Sequence, residues 1–198
     1  MALADGYTEV PAGKVAFIAT SLEMLEPPPP RLVRDEPGLA IRAVPTPDVT
    51  WYRDLFRRVG ADWLWSSRLK LSDSALAVII QDPAVDVFTI QANGRDEGLL
   101  ELDFRATPDC ELAFFGITSS LFGRGAGRLL MEHAVRTVWR RPIRRFWLHT
   151  CTGDHPAALD FYIRSGFKPY KRQVEVADDP RLNGMLPETA GRHIPLIR

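Results

Sequence analysis

Hydrophobic and polar positions follow two periods along this chain, and the changes between them divide it into strands and helices. Apolar and β-branched runs of strand length occupy residues 14–25, 39–44, 85–92, 99–104, 112–117, 146–150 and 167–176. Amphipathic or apolar helical stretches occupy residues 51–59, 72–80, 125–141 and 156–165. The Asn93-Gly94 pair predicts a hairpin turn between two of the strands. This order predicts an α/β fold with antiparallel strands first and a parallel crossover later.

Prolines separate an N-terminal segment from the rest of the chain. Pro27–Pro30 predict a stiff polyproline-like spacer. Residues 1–38 are therefore expected to form an N-terminal extension, as a covering strand or a dimerisation arm. Residues 39–176 are expected to form the main domain, and residues 177–198 a turn-rich tail that packs on it.

Composition narrows the classes of function. The 198 residues are 45% hydrophobic, which suffices for the core of one domain. The 25 basic residues balance the 25 acidic ones, whereas nucleic-acid binding proteins usually carry a basic excess. Neither the two cysteines nor the four histidines have the spacing of a metal site or disulfide framework. We therefore expect no nucleic-acid partner and no metal.

Membrane and export signals are not evident in the sequence. No apolar run approaches the roughly 20 residues that span a bilayer. The first ten residues carry Asp5 and Glu9 instead of the basic cluster of a secretory signal. The expectation is a cytoplasmic protein without a membrane partner.

The run FGRGAGRLL, Phe122 to Leu130, places three glycines at alternate positions directly before a predicted helix. A loop without side chains that leads into a helix start gathers free N–H groups and the positive end of the helix dipole, which together bind phosphate. The spacing fits neither a P-loop, which needs Lys followed by Ser or Thr, nor the dinucleotide fingerprint. A plain turn that caps the helix is the alternative interpretation.

Three segments, in this order, resemble the GNAT N-acetyltransferase superfamily, whose members transfer acetyl groups from acetyl-CoA to amines. They are ELAFFGITSSLFGRGAGRLLMEHA from Glu111, the strand FWLHTCT, and the block HPAALDFYIRSGF from His155. Gly125 and Gly127 match the family loop Gln/Arg-x-x-Gly-x-Gly/Ala. Phe122 stands where the family has Gln or Arg, and His155 where it has Asn. The resemblance implies a GNAT-like mixed, mostly antiparallel central sheet flanked by helices, here with an extra N-terminal strand segment.

The resemblance implies that acetyl-CoA is the acetyl donor and that its pyrophosphate lies against the backbone of residues 123–128. The strand before the loop would face the pantetheine arm. Arg124 and Arg128 would add positive charge near the phosphates, although a solvated helix start is the alternative role. The expected cofactor-binding residues are Phe115, Gly116, Ile117, Gly123, Arg124, Gly125, Ala126, Gly127, Arg128 and His155.

Acetyl transfer to an amine needs a base for the ammonium group and can use an acid for the leaving thiolate. Tyr162 stands where family members usually carry a tyrosine acid, and its alternative role is that of a core tyrosine. Glu111 is the preferred base. Regular strand alternation places it on the face of Ala113, Phe115 and Ile117, where apolar surroundings would raise its pKa.

Other groups keep alternative mechanisms open. Glu101 and Asp103 lie on one face of the preceding strand and are rival bases. His149 and Cys151, two residues apart on one strand face, could form a Cys–His nucleophile. Direct transfer in a ternary complex fits the resemblance better than a covalent intermediate.

An aromatic cluster occupies the first predicted helix and its exit. Because this region usually lines the acceptor pocket in the family, Trp51, Trp63 and Trp65 are expected to contact the substrate, with helix packing as the alternative. The acceptor is expected to be a small-molecule or protein amine, and a homodimer is a further expectation. A non-catalytic acyl-CoA-binding module and a different nucleotide-binding α/β enzyme are the competing interpretations.

Overall fold

The computed structural model describes residues 5–29 and 36–198, which form one seven-stranded sheet with helices on both faces. The strands are β1 (Lys14–Met24), β2 (Leu39–Ala43), β3 (Val85–Ala92), β4 (Arg95–Asp103), β5 (Asp109–Ile117), β6 (Arg145–Cys151) and β7 (Lys168–Asp178). The helices are α1 (Val49–Gly60), α2 (Asp73–Ile80), α3 (Ala126–Val138) and α4 (Ala158–Ser165).

The strands follow the order β2-β3-β4-β5-β6-β1-β7. Among the described strands, β5 and β6 form the one parallel pair, and the other neighbours are antiparallel. The predicted mixed, mostly antiparallel sheet flanked by helices is therefore confirmed. None of the helices in the described ranges is long and apolar enough to cross a membrane.

Local sequence signals determine where the helices begin and end. The Asp48 carboxylate accepts a hydrogen bond from the Trp51 N–H at 2.9 Å and caps α1. The Ser72 hydroxyl caps α2 in the same way. Gly166, with φ 111°, ends α4 in the left-handed conformation that favours glycine. α3 ends at Val138, earlier than predicted, because the chain tightens into a turn before Pro142.

Two apolar cores cover the two faces of the sheet. On one face, residues of β4 and β5 such as Leu100 and Leu112 pack with α3 and α4. On the other face, Leu99 and strand β3 pack with α1 and α2. A smaller cluster joins Val15 and Leu64 to the C-terminal segment through Leu186 and Ala190.

Strand β1 lies inside the sheet. It pairs with β6 over Ala19–Met24 and with β7 over nearly its whole length. Residues 1–38, which were expected to be an extension, therefore contribute an interior strand. The division at residues 38 and 176 stays a prediction, and Pro30 of the predicted spacer lies outside the described residues.

Two irregularities in β5 open a gap in the sheet, in which a cavity lies. Leu102 pairs with Leu112 and Glu101 pairs with Phe114, so Ala113 is an extra residue that forms a β-bulge. On its other side, β5 pairs with β6 over Asp109–Glu111, and no later position of β5 pairs with β6 in the described part of the chain. The two parallel strands therefore separate beyond Glu111.

Candidate active site

The glycine loop, residues 123–127, leads into a helix start whose backbone N–H groups are free. Gly123 and Gly125 have φ of +74° and +78°, a conformation that side chains disfavour. The N–H groups at the first turn of α3 have no intrahelical acceptor, while the Gly125 carbonyl accepts from the Leu129 N–H at 3.0 Å. Among the described residues, the Gly123 and Gly125 N–H groups also have no hydrogen-bond acceptor. The loop therefore has the geometry of an anion site.

A cavity of about 780 Å³ lies between the separated ends of β5 and β6 and receives residues from both faces of the sheet. From the side of α3 and α4 it is lined by the glycine loop, Phe161 and Tyr162. From the side of α1 it is lined by Phe17, Trp63 and Trp65. One continuous space thus connects the glycine loop with an aromatic wall.

The structure brings nearly all of the expected cofactor-binding residues to this cavity. Arg124 instead lines an adjoining cavity of about 910 Å³, together with Arg128, Arg164 and Glu36. The lining of the main cavity includes Phe115, Gly116, Ile117, Gly123, Gly125, Ala126, Gly127, Arg128 and His155.

Tyr162 presents its ring to the cavity from helix α4. Its ring packs against Phe115, Phe161 and Phe167 at centroid distances of 6.0, 5.6 and 6.1 Å. Burial raises the pKa of its phenol far above the ordinary value, and the Asp154 carboxylate acts in the same direction. No hydrogen bond to the hydroxyl comes from the described residues. The phenol is therefore protonated at neutral pH, and its hydroxyl has no acceptor among the described residues.

Glu111 lies on the face of the sheet opposite to the predicted one. The bulge at Ala113 interrupts the alternation, so Glu111 shares its face with Phe114 and Gly116 and not with Phe115 and Ile117. The expected face was wrong, because alternation assumes a regular strand. Glu111 is half-buried and does not belong to the cavity lining.

The surroundings of the three candidate carboxylates differ. Burial raises the pKa of Glu111, although nearby His149 opposes this effect. Burial would also raise the pKa of Asp103, but hydrogen bonds from Arg105 bring it below the ordinary value. Glu101 is fully buried and accepts hydrogen bonds from the Tyr52 hydroxyl and the Arg68 guanidinium. Of the two carboxylates with a shifted pKa, Glu111 is the stronger base, and hydrogen bonds already occupy the Glu101 carboxylate.

His149 and Cys151 both line the cavity, as expected for residues on one face of β6. Burial raises the pKa of the Cys151 thiol to about 11. A thiol with such a pKa is almost entirely protonated at neutral pH, and the thiolate is the nucleophilic form. The surroundings of Cys151 therefore do not favour covalent catalysis.

The three tryptophans expected at the acceptor pocket lie in two places. The Trp65 indole donates a hydrogen bond to Asp154 at 3.2 Å and packs against Phe114 at the cavity wall. Trp63 lies on the same wall. Trp51 lies outside the cavity lining: its indole donates to Asp96 at 2.8 Å, and it packs against the core between α1, α2 and the sheet.

The two residues that depart from the family pattern contact each other. The rings of Phe122 and His155 are 5.4 Å apart at 80°, an edge-to-face arrangement. His155 also contacts Trp63 at 5.2 Å, and Trp63 contacts His193 of the C-terminal segment at 5.7 Å. A row of rings thus connects the glycine loop with the aromatic wall.

Three of the cavity residues that sequence reasoning missed come from strands or turns far from the glycine loop in the sequence. Phe17 comes from β1, Glu175 from β7, and Asp154 from the turn after β6. Phe17 and Glu175 are opposite each other in the pairing of β1 with β7. Strand content was visible for both segments, but no local signal places them beside the glycine loop.

Comparison with known proteins identifies the family. A profile of the acetyltransferase (GNAT) family matches residues 51–167, more than half of the chain. No curated protein sequence matches the chain significantly.

Several solved structures share the fold. A GCN5-related N-acetyltransferase from Sphaerobacter thermophilus has a TM-score of 0.63 and 15% identity over 88% of this chain, which covers 54% of that protein. A GCN5-related N-acetyltransferase from Kribbella flavida has a TM-score of 0.54 and 18% identity over 85% of this chain, which covers 60% of that protein. The ribosomal-protein-S18-alanine N-acetyltransferase from Escherichia coli has a TM-score of 0.56 and 17% identity over 70% of this chain, which covers 90% of that protein.

This chain thus spans about half of the Sphaerobacter protein. At these identities the structural likeness shows the shared fold, and the profile match shows the family. The chain belongs to the GNAT acetyltransferase family.

Proposed function

We propose that this chain is an acetyl-CoA-dependent N-acetyltransferase that moves the acetyl group to a primary amine by direct transfer in a ternary complex. The observation that carries the proposal is the continuous cavity between β5 and β6, with the glycine loop at one end and an aromatic wall at the other. A donor and an acceptor that enter from opposite faces of the sheet would meet in this gap. Family membership supports acyl transfer in general.

The residues present fit a CoA thioester, which would supply the activated acetyl group when bound. Free N–H groups at Gly123, Gly125 and the first turn of α3 suit its pyrophosphate. Arg124 and Arg128 add positive charge beside the loop. The edge of β5 beyond Glu111 is unpaired with β6 and offers backbone groups to the amides of the pantetheine arm.

Two side chains perform the proton transfers in this proposal. The Tyr162 hydroxyl, which lines the cavity and is protonated at neutral pH, donates its hydrogen to the sulfur that leaves. Glu111 accepts the proton of the ammonium group through a water molecule, because it is not itself among the residues that line the cavity. Its raised pKa makes it a better base than an exposed carboxylate.

Direct transfer is favoured over a covalent enzyme intermediate. The one cysteine on the cavity wall, Cys151, has a raised pKa near 11. Mixing enzyme and acetyl-CoA without an amine should therefore release no stoichiometric burst of CoA. A burst that disappears in Cys151→Ser would contradict direct transfer.

An acceptor screen with purified protein and acetyl-CoA tests the function, with CoA release and acetylated product as readouts. The panel contains small amines, peptide N-termini and lysine peptides, since either a small-molecule or a protein amine is proposed as acceptor. Acetylation of any of them at an enzymatic rate supports the proposal. Acetyl-CoA binding without turnover across the panel would favour a non-catalytic sensor, and stabilisation by ATP or NAD but not acetyl-CoA would overturn both.

Variants at Gly127 show whether the loop holds the donor. A Cβ added to Gly127 would lie 3.9 Å from the Phe161 ring, so Gly127→Ala fits the structure. Gly127→Trp would fill the cavity beside the loop. We expect loss of acetyl-CoA binding in Gly127→Trp and near-normal folding and binding in the matched Gly127→Ala control. Equal affinity for both variants would refute the assignment of the loop.

A further inference from the structure

Strand β7 forms an uncovered edge of the sheet. Ten of its eleven residues are exposed, and β1 is its one neighbour among the described strands. An edge strand presents unpaired N–H and C=O groups that can pair with another strand. Val174 and Val176 are 44% and 54% exposed, and Ile18, opposite Val174 in β1, is 43% exposed. An exposed edge with apolar side chains is suited to an interface.

The charges of β7 are divided between its two halves. Lys168, Lys171 and Arg172 lie in the first half, and Glu175 and Asp178 lie in the second. When two copies of a strand pair antiparallel, the first half of each lies beside the second half of the other. The basic half of β7 would therefore meet the acidic half of a second copy.

Symmetry limits the registers that two copies can adopt. A two-fold axis perpendicular to the sheet keeps each side chain on its own face. One residue near the axis must then lie directly opposite its own copy, and the axis passes between the two. An axis at Lys171, Arg172 or Glu175 places like charges opposite each other. An axis at Val174 sets Gln173 opposite the partner's Glu175. An axis at Gln173 sets Lys171 opposite the partner's Glu175 and Arg172 opposite the partner's Val174.

We propose that two copies of this chain form a dimer by antiparallel pairing of β7, centred on Gln173. The pairing joins both sheets into one and forms two identical Lys171–Glu175 pairs across the interface. Opposite charges in facing strand positions stabilise the pairing, and like charges oppose it. Neither side chain has an ion pair elsewhere in the described parts of the chain, whereas Asp178 is already bound by Lys14.

Edge lysines and Pro169 would ordinarily hinder pairing with a foreign strand. In the Gln173-centred register the lysines instead meet glutamates, so the same charges select a second copy of this chain. The dimer also reaches the cavity, because Glu175 belongs to its lining. The partner's Lys171 would then stand at the rim of each acceptor region.

Charge reversal tests the register through sedimentation velocity on the full chain. Wild type is expected to sediment as a dimer at micromolar concentration. Lys171→Glu places glutamates opposite each other, and Glu175→Lys places lysines opposite each other. Each is expected to weaken self-association by about tenfold or more, because symmetry applies the change twice. The double variant Lys171→Glu with Glu175→Lys should dimerise again.

Mixing the two single variants is the sharper test. Positions 171 and 175 are both glutamate in the Lys171→Glu variant and both lysine in the Glu175→Lys variant. Each glutamate of one variant therefore faces a lysine of the other, which restores both ion pairs. The mixture should form a heterodimer although each variant alone is monomeric, and this recovery also shows that the variants fold.

Arg136→Glu is the matched control, since it changes the net charge as much as Lys171→Glu does, but at an exposed position of α3. This variant should leave the dimer intact. A monomeric wild type, or a mixture and double variant that stay monomeric, would overturn the proposal.

Discussion

Around the cavity, burial and neighbouring charges shift the pKa values of titratable side chains in different directions. Burial raises the pKa values of Tyr162, Glu111 and Cys151, which favours a protonated phenol, a basic carboxylate and an inert thiol. Hydrogen bonds from Arg105 instead lower the pKa of Asp103. Residue type alone would have made Asp103 and Glu111 equivalent candidates.

Replacing Tyr162 by Phe should lower kcat about a hundredfold, which is within the usual contribution of a proton donor. The affinity for acetyl-CoA should remain within about twofold, because the ring and its packing against Phe115 and Phe161 are kept. Steady-state kinetics and calorimetric binding measure the two effects. Tyr170→Phe on exposed β7 is the matched control, and an unchanged kcat in Tyr162→Phe would make that tyrosine structural.

Glu111→Gln should stabilise the protein at pH 7–8. A carboxyl whose folded pKa is raised binds its proton more tightly in the folded state, so wild-type stability falls as pH rises from the ordinary value of about 4.3 through the raised one. The variant does not titrate, so its advantage should disappear as the pH falls toward 4. Denaturant unfolding across this range measures the difference. A wild type more stable than the variant at pH 8 would contradict the direction.

At the scale of elements, a buried ion pair connects the turn between α1 and α2 to the middle of the sheet. Arg68 pairs with Glu101 of β4, and Tyr52 of α1 donates to the same carboxylate. Burial disfavours the charged guanidinium, yet the carboxylate raises the pKa of Arg68 overall. The Arg68 guanidinium also lies 5.0 Å from the ring of Phe114. This contact helps to position Phe114, a residue of the cavity lining that follows the bulge.

Arg68→Ala should lower the free energy of unfolding by about 3–5 kcal/mol, because it leaves the Glu101 charge buried without its partner. The double variant Arg68→Met with Glu101→Gln should recover most of this loss, since no charge is then buried and Gln still accepts from Tyr52. Urea unfolding of the single and double variants measures both effects. Arg105→Ala, which removes an exposed arginine from a surface pair, should cost about 1 kcal/mol or less. No recovery in the double variant would refute the explanation.

At the scale of the whole molecule, β1 joins the start of the chain to its end. It separates β6 from β7 and pairs with both. The Gly13 N–H donates to the Ile197 carbonyl at 2.9 Å, and Val15 packs with Leu186 and Ala190. The N-terminal and C-terminal segments are therefore parts of one folded unit with the cavity.

A chain without residues 1–26 should fail to fold, because β7 would lose its neighbour and the edge of β6 would be exposed. A chain without residues 1–10 retains β1 and should fold normally. Circular dichroism and thermal unfolding compare the two truncations. A synthetic peptide of residues 11–27, added to the longer truncation, should restore folding. A stable, active protein without residues 1–26 would show that β1 is an appendage.

Much of the site was predictable where local rules apply. The FGRGAGRLL run predicted a glycine-rich loop that leads into a helix start, and the structure places Gly123, Gly125 and the start of α3 in that arrangement, while phosphate binding stays a prediction. The face of Glu111 was not predictable by alternation, because one extra residue at Ala113 reverses it. Trp51 and Trp63 belong to one aromatic cluster in the sequence, but Trp51 donates to Asp96 and packs on the core of α1 and α2, outside the cavity lining.

The sequence by itself determined the helices, their caps, the hairpin at Asn93-Gly94 and the glycine loop, because these depend on interactions between residues a few positions apart. Only the tertiary structure decided the place of β1, the separation of β5 from β6, and the meeting of Phe17 and Glu175 in the cavity. These features depend on pairing between distant strands, and short-range periodicity does not specify the partner or the register of a strand.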